Sequence, residues 1–320
     1  MALTKLDKAS IIAIKDCMGA KKNEKILVVT DEVKREIGYS LYNNAIRLGH
    51  DSLLVEMKSR EYNGEEPPIE VAELMQKFDI VFCPTARSLT HTEARRSASA
   101  QGTRIATFPG ITEEVMIRGL NADYKKISAL TLKLKDIFEQ TKIIRVTTAI
   151  GTDITMDISG RKAFASKGLF HAKGESGNLP TGETFVAPAE GKSNGIFIVD
   201  GSMAGIGVLS KPIKIKVEKG FATEISGGVQ AKKLINLLKK HGKDARNIAE
   251  FGIGTNHKAK ISGVLLEDEK VLGTIHIALG DNKSMGGSVG VSSHLDGVLL
   301  KPMVFFDDKV IMKNGKLNIS

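Results

Sequence analysis

The chain has 320 residues, enough for one large domain or two ordinary ones. Its 42% hydrophobic and 26% charged residues suit a globular protein, and the absence of Trp, with 5% aromatics, leaves few platforms for stacking single-stranded bases. The net charge of +9 first suggests a nucleic-acid partner, but the lysines are spread along the chain, and the densest run (232–246) carries Leu234, Ile235, Leu237 and Leu238 at helical spacing, so it reads as a solvated helix face.

In chain order, the start MALTKLDKAS is charged and is followed by a short apolar patch broken by Lys15 and Asp16, which does not read as a signal peptide. No apolar run reaches the ~18 residues of a membrane span. Neither nucleic acid nor a membrane is therefore expected as a partner. KILVVTD (25–31) reads as a strand, followed by a helix to about Leu48 that Gly49 closes. SLLVEM (52–57) is a strand, 69–78 a helix, DIVFCPT (79–85) a strand, 93–102 a helix and TRIATFPG (103–110) a strand. One long helix is expected over about 113–140. Strands alternating with helices predict a doubly wound, mostly parallel α/β domain over residues 1–141. The two cysteines, Cys17 and Cys83, are too few for a disulfide framework or a thiolate zinc site; they suit a reducing cytoplasm, and Cys83 reads as a buried strand-end thiol.

From Lys142 the pattern changes to strands separated by Gly-rich breaks, with one inserted helix (229–241), so residues 142–320 are expected to form a β-rich α+β domain. The chain lacks a dinucleotide G-x-G-x-x-G, a P-loop, H-E-x-x-H, C-x-x-C and a G-x-S-x-G elbow. What remains is a set of candidate metal ligands. His294 and Asp296 stand two apart in SSHLDGVLL, so in a strand they share a face. In VLGTIHIALGDN, His276 faces opposite to Ile275 and Ile277. Glu250 lies in NIAEFGIGTN and Glu183 in NLPTGETFVAP, carboxylates in apolar strand contexts that are costly unless paired or metal-bound. Each alone would also fit an ordinary hydrogen-bonded or exposed residue. Two imidazoles and three carboxylates beside Gly-rich turns together suit divalent ions.

The runs NLPTGETFVAP, EFGIGTN, GTIHIALGDN and SSHLDGV, in that order, resemble the aminopeptidase T / aminopeptidase S family of metallo-aminopeptidases. The resemblance is good over about 142–306 and looser in the first half. It implies an aminopeptidase with two divalent ions (Zn, Co or Mn) held by Glu183, Glu250, His276, His294 and Asp296, with Glu250 moving the proton, a peptide or amino-acid amide as substrate, and a homodimer in the cytoplasm. The family tyrosine falls on Lys283; the four tyrosines, Tyr39, Tyr42, Tyr62 and Tyr124, all lie in the first half. Lys283 is therefore the candidate that polarises the carbonyl oxygen. Two alternatives are a mononuclear Fe(II) enzyme resembling 2,5-dihydroxypyridine dioxygenase and a non-catalytic binding protein on a retained metal scaffold. In that dioxygenase branch a His replaces the second metal Glu, and the positions of Glu183 and His276 hold non-ligands.

Overall fold

The computed structural model describes residues 2–319. The chain forms two compact units, one holding residues through 128 together with 166–181, the other holding 129–165 and the chain from 182 onward. In place of one crossing after residue 141, the chain passes into the second unit within the helix Tyr124–Glu139, returns at 166 and leaves again after 181.

The first unit is an α/β layer. Its five strands lie in the order Ser52–Met57, Ile26–Asp31, Ile80–Cys83, Arg104–Thr107 and Ser176–Asn178, and every pair is parallel. The three central strands are buried at every position, which is why Ile26–Asp31 opens, and Ile80–Cys83 reads throughout, as an apolar run without alternation. Cys83 ends one of them, and burial pushes its thiol up to about 12. The helix expected over 113–140 is two helices, Glu113–Leu120 and Tyr124–Glu139, parted at Asn121, whose ψ of 44° leaves the helical range. The fifth strand comes from a segment that the sequence assigns to the β-rich half. An amino-terminal helix, Lys5–Ile12, is capped reciprocally by Thr4 and Asp7.

The second unit contains two sheets. One, of eight strands, is antiparallel and runs in the order Phe221–Ser226, Ile213–Glu218, Asn194–Val199, Asp153–Asp157, Ile143–Thr147, Met303–Phe306, Lys309–Lys313 and Lys316–Leu317. The other has seven strands: Gly207–Val208, Ser202–Met203, His294–Leu299, Ile275–Gly280, Ile248–Gly254, Glu183–Val186 and Ala163–Ser166. Both contribute to one core, where Phe197 and Ile215 of the first sheet join Phe251, Ile277 and Leu299 of the second. The helix Val229–Lys240 adds Ala231, Leu234 and Leu238 to that core and leaves Lys232, Lys233, Lys239 and Lys240 exposed, the amphipathic arrangement expected for the basic run. Among the described residues, no helix is long and apolar enough to cross a membrane.

Candidate metal centre

Strand alternation divides the seven-stranded sheet into two chemically different faces. Ile253, Ile275, Ile277, Leu279 and Leu299 point into the core. The register pairs Gly254 with Glu183, Gly252 with His276, Ala278 with both Glu250 and Asp296, and Gly280 with His294, so these residues share the opposite face. Small residues between the long ones leave room for carboxylates and imidazoles. A bulge between Ile248 and Glu250 does further work: two residues apart, these side chains would normally share a face, yet Ile248 is in the core and Glu250 is in the cluster.

The cluster is continuous. His276 Nε2 lies 3.1 Å from Glu250 Oε1 and 3.6 Å from Glu183 Oε2. His294 Nε2 lies 3.1 Å from Glu250 Oε2 and 3.5 Å from Asp296 Oδ1. Glu183, Glu250, His276 and Asp296 are buried, while the His294 side chain keeps 32% of its surface exposed. All five candidate ligands are thus brought together. His294 Nδ1 lies 2.8 Å from the Asp281 carbonyl oxygen, which can only accept, so Nδ1 carries the proton and Nε2 faces the carboxylates.

Charge inside the cluster is balanced by protons. Burial acts against a charged His276, but the hydrogen bond to Glu250 and the nearby carboxylates outweigh it and push its pKa up to about 9. Burial likewise opposes the charge on His294, which Asp296 and Glu250 raise well above the ordinary value. Burial would raise Glu250, yet His276 and His294 hold it below the usual carboxylate range. Among the described residues, two buried oxygens of the cluster, Glu183 Oε2 and Asp296 Oδ1, have no hydrogen-bond partner. Mixed imidazole and carboxylate donors, unsatisfied buried oxygens and protonated imidazoles are what a divalent-ion site presents when protons stand in for the ion. The donors therefore fit a metal. Ligand atoms of Glu250, His276 and Asp296 lie within 4.8 Å of one another, as do those of Glu183, Glu269 and His276.

Lys283 is not part of this group. It is exposed, at the start of the short helical turn Lys283–Met285. The lysine that reaches the carboxylates is Lys270, whose Nζ lies 2.6 Å from Glu183 Oε1 and 3.3 Å from Glu269 Oε2. Burial opposes its charge, but Glu183 and Glu269 keep its pKa above the ordinary lysine value; burial pushes Glu269 up to about 8. Sequence reasoning misses both, because a run of charges such as 267–270 is normally solvated. The one signal is its position between apolar Val264–Leu266 and Val271–Leu272. A groove of about 640 Å³ in the same unit, bounded by Thr141, Phe306 and Lys309, contains none of the cluster residues.

A family model described as "NicX: 2,5-dihydroxypyridine 5,6-dioxygenase" matches residues 15–319. The chain is 25% identical, over 247 residues, to 2,5-dihydroxypyridine 5,6-dioxygenase of Pseudomonas putida, a match covering 71% of this chain and 68% of that protein. The solved structure of 2,5-dihydroxypyridine dioxygenase from Pseudomonas putida KT2440 superimposes with a TM-score of 0.85 at 18% identity, covering 100% of this chain and 99% of the other. Wild-type AmpT from Thermus thermophilus gives 0.68 at 16% identity, covering 98% and 99%. The fold is thus related to that of AmpT, but the two-metal aminopeptidase expectation, with its hydrolase activity, is overturned by the family model and the curated relative. The four runs that suggested it trace a sheet whose fold is common to both proteins, so they report the scaffold and its donors and not the reaction.

Proposed function

This chain belongs to the 2,5-dihydroxypyridine 5,6-dioxygenase family, and from that premise we propose that it is a metal-dependent dioxygenase that opens a hydroxylated aromatic ring of the 2,5-dihydroxypyridine type. The observation that carries the reading is the donor set of buried His276, Asp296 and Glu250 with half-buried His294, Asp296 Oδ1 being unsatisfied and His294 Nε2 turned inward by the Asp281 carbonyl. These four residues would hold one ferrous ion, an assignment that suits imidazole and carboxylate donors; Glu250 and His276 depart from the set expected for the dioxygenase branch, a histidine and a non-ligand at those two positions. Such an ion would supply a redox-active site at which dioxygen and the ring could meet.

The chain's own residues set the rest. His294 is the member of the cluster that meets solvent, so a flat ring approaches from its side. His276, Glu250 and Asp296 lie behind it and exclude water from that face. Glu250 lies between the two imidazoles, 3.1 Å from Nε2 of each, so its carboxylate and both rings converge on one point.

The test is direct. Protein loaded with Fe(II) under anaerobic conditions is mixed with 2,5-dihydroxypyridine and dioxygen. The expected result is equimolar consumption of ring and dioxygen, with both atoms of isotopically labelled dioxygen recovered in the product. Metal-loaded protein that consumes neither overturns the proposal.

A further inference from the structure

The charged groups form a row: Glu269, Lys270, Glu183, His276, Glu250, His294, Asp296. Two overlapping donor groups lie along it, Glu183/Glu269/His276 and Glu250/His276/Asp296, and they share His276. Judged by donors alone, the row could take two ions. One end, however, is already occupied. The Lys270 ammonium sits 2.6 Å from Glu183 and 3.3 Å from Glu269, two of the three donors of the first group, and the residue is 2% exposed. Its backbone is pinned: its N–H donates to the Glu267 carbonyl, its carbonyl accepts from Asn256, and the turn before it is tied down by Asp268, which accepts from Ser262 and Gly263. The ammonium is therefore built into the site.

We propose that Lys270 is a fixed internal cation that takes the place of a second metal ion and limits this centre to one. Lys270 touches no reacting atom. It acts through Glu183, neutralising that carboxylate and withdrawing it from the donor set. A dication bound by the same carboxylates would stand within a few ångströms of a buried ammonium, and like charges that close in a desolvated site repel strongly. An ammonium has three donors and no acceptor, so it cannot itself become a ligand while charged. This inference rests on the metal-centre reading above and adds the element that sets the metal count.

Metal stoichiometry measures it. The wild-type chain, titrated with Co(II) and then analysed for cobalt, should hold one ion. Lys270→Met should hold two, the second on Glu183 and Glu269, whereas Lys270→Arg, which keeps the charge, should hold one. Glu183→Gln gives an arm that does not depend on the fate of the lysine variants: it should keep the single ion that Asp296→Asn loses. Two ions in the wild type, one ion in a folded Lys270→Met, or loss of the ion in Glu183→Gln each overturns the role of Lys270 while leaving the metal centre standing. No ion in the wild type overturns the metal-centre reading and this inference together.

Discussion

Gly252 lies directly beneath the His276 ring: the two are register partners on neighbouring strands, and a Cβ on Gly252 would overlap Nε2 of the imidazole. The glycine is needed because a ring occupies the space that any other side chain would fill. Gly252→Ala should displace His276, cost about 1–3 kcal/mol by overpacking, and leave purified protein without its metal. Calorimetry and elemental analysis read both effects. A variant with wild-type metal content would show that the ring is not where metal binds.

Removal of a donor acts on the ion directly. His294→Ala and Asp296→Asn should each weaken metal affinity by more than the roughly 10–100-fold typical of losing an outer-sphere partner, measured by chelator competition. Lys283→Met, on an exposed turn, should leave metal content unchanged and alter stability by no more than about 0.5 kcal/mol. Loss of metal in Lys283→Met would return that lysine to the site.

Metal binding should depend on pH in a defined direction. With His276 raised from 6.5 to about 9, an incoming ion must displace a proton, so affinity should climb as pH rises through that window and binding should release protons. In the metal-free protein the sign reverses: the charged His276 contributes stability that is fully present below about pH 6.5 and lost as pH rises through about 9. Glu269, raised by burial from 4.5 to about 8, makes the metal-free protein less stable as pH rises from about 4.5 to about 8, because its buried carboxyl must then ionise. Titration calorimetry in buffers of different ionisation enthalpy checks the proton release. A pH-independent affinity between 7 and 9 would contradict it.

Away from the cluster, Phe138 packs edge-on to Phe306 at 4.7 Å and lies 5.8 Å from Phe251. These rings join the helix Tyr124–Glu139 to both sheets of the second unit. Phe138→Ala should cost about 3–5 kcal/mol, read as a lower denaturant midpoint with unchanged m-value. A loss under 1 kcal/mol would mean that the helix is not part of the cooperative core.

The sequence by itself determined the elements and most of the donors. Alternation of Ile275 and Ile277 with His276 and Ala278, and the two-residue spacing of His294 and Asp296, are local properties of a strand, so they can be read without knowing its neighbours. The parallel and β-rich halves follow from the same periodicity. Register is not local. That Gly252 sits under His276, that a bulge re-aims Glu250 while Ile248 stays in the core, and that residues 176–178 return to the parallel sheet all depend on pairing between distant segments. The lysine shows the limit most clearly. Lys283 stood at the family's tyrosine position, yet Lys270 is the lysine that is buried, because a charge stays out of water only where partners such as Glu183 and Glu269 meet it, and only the tertiary structure decides where those partners meet.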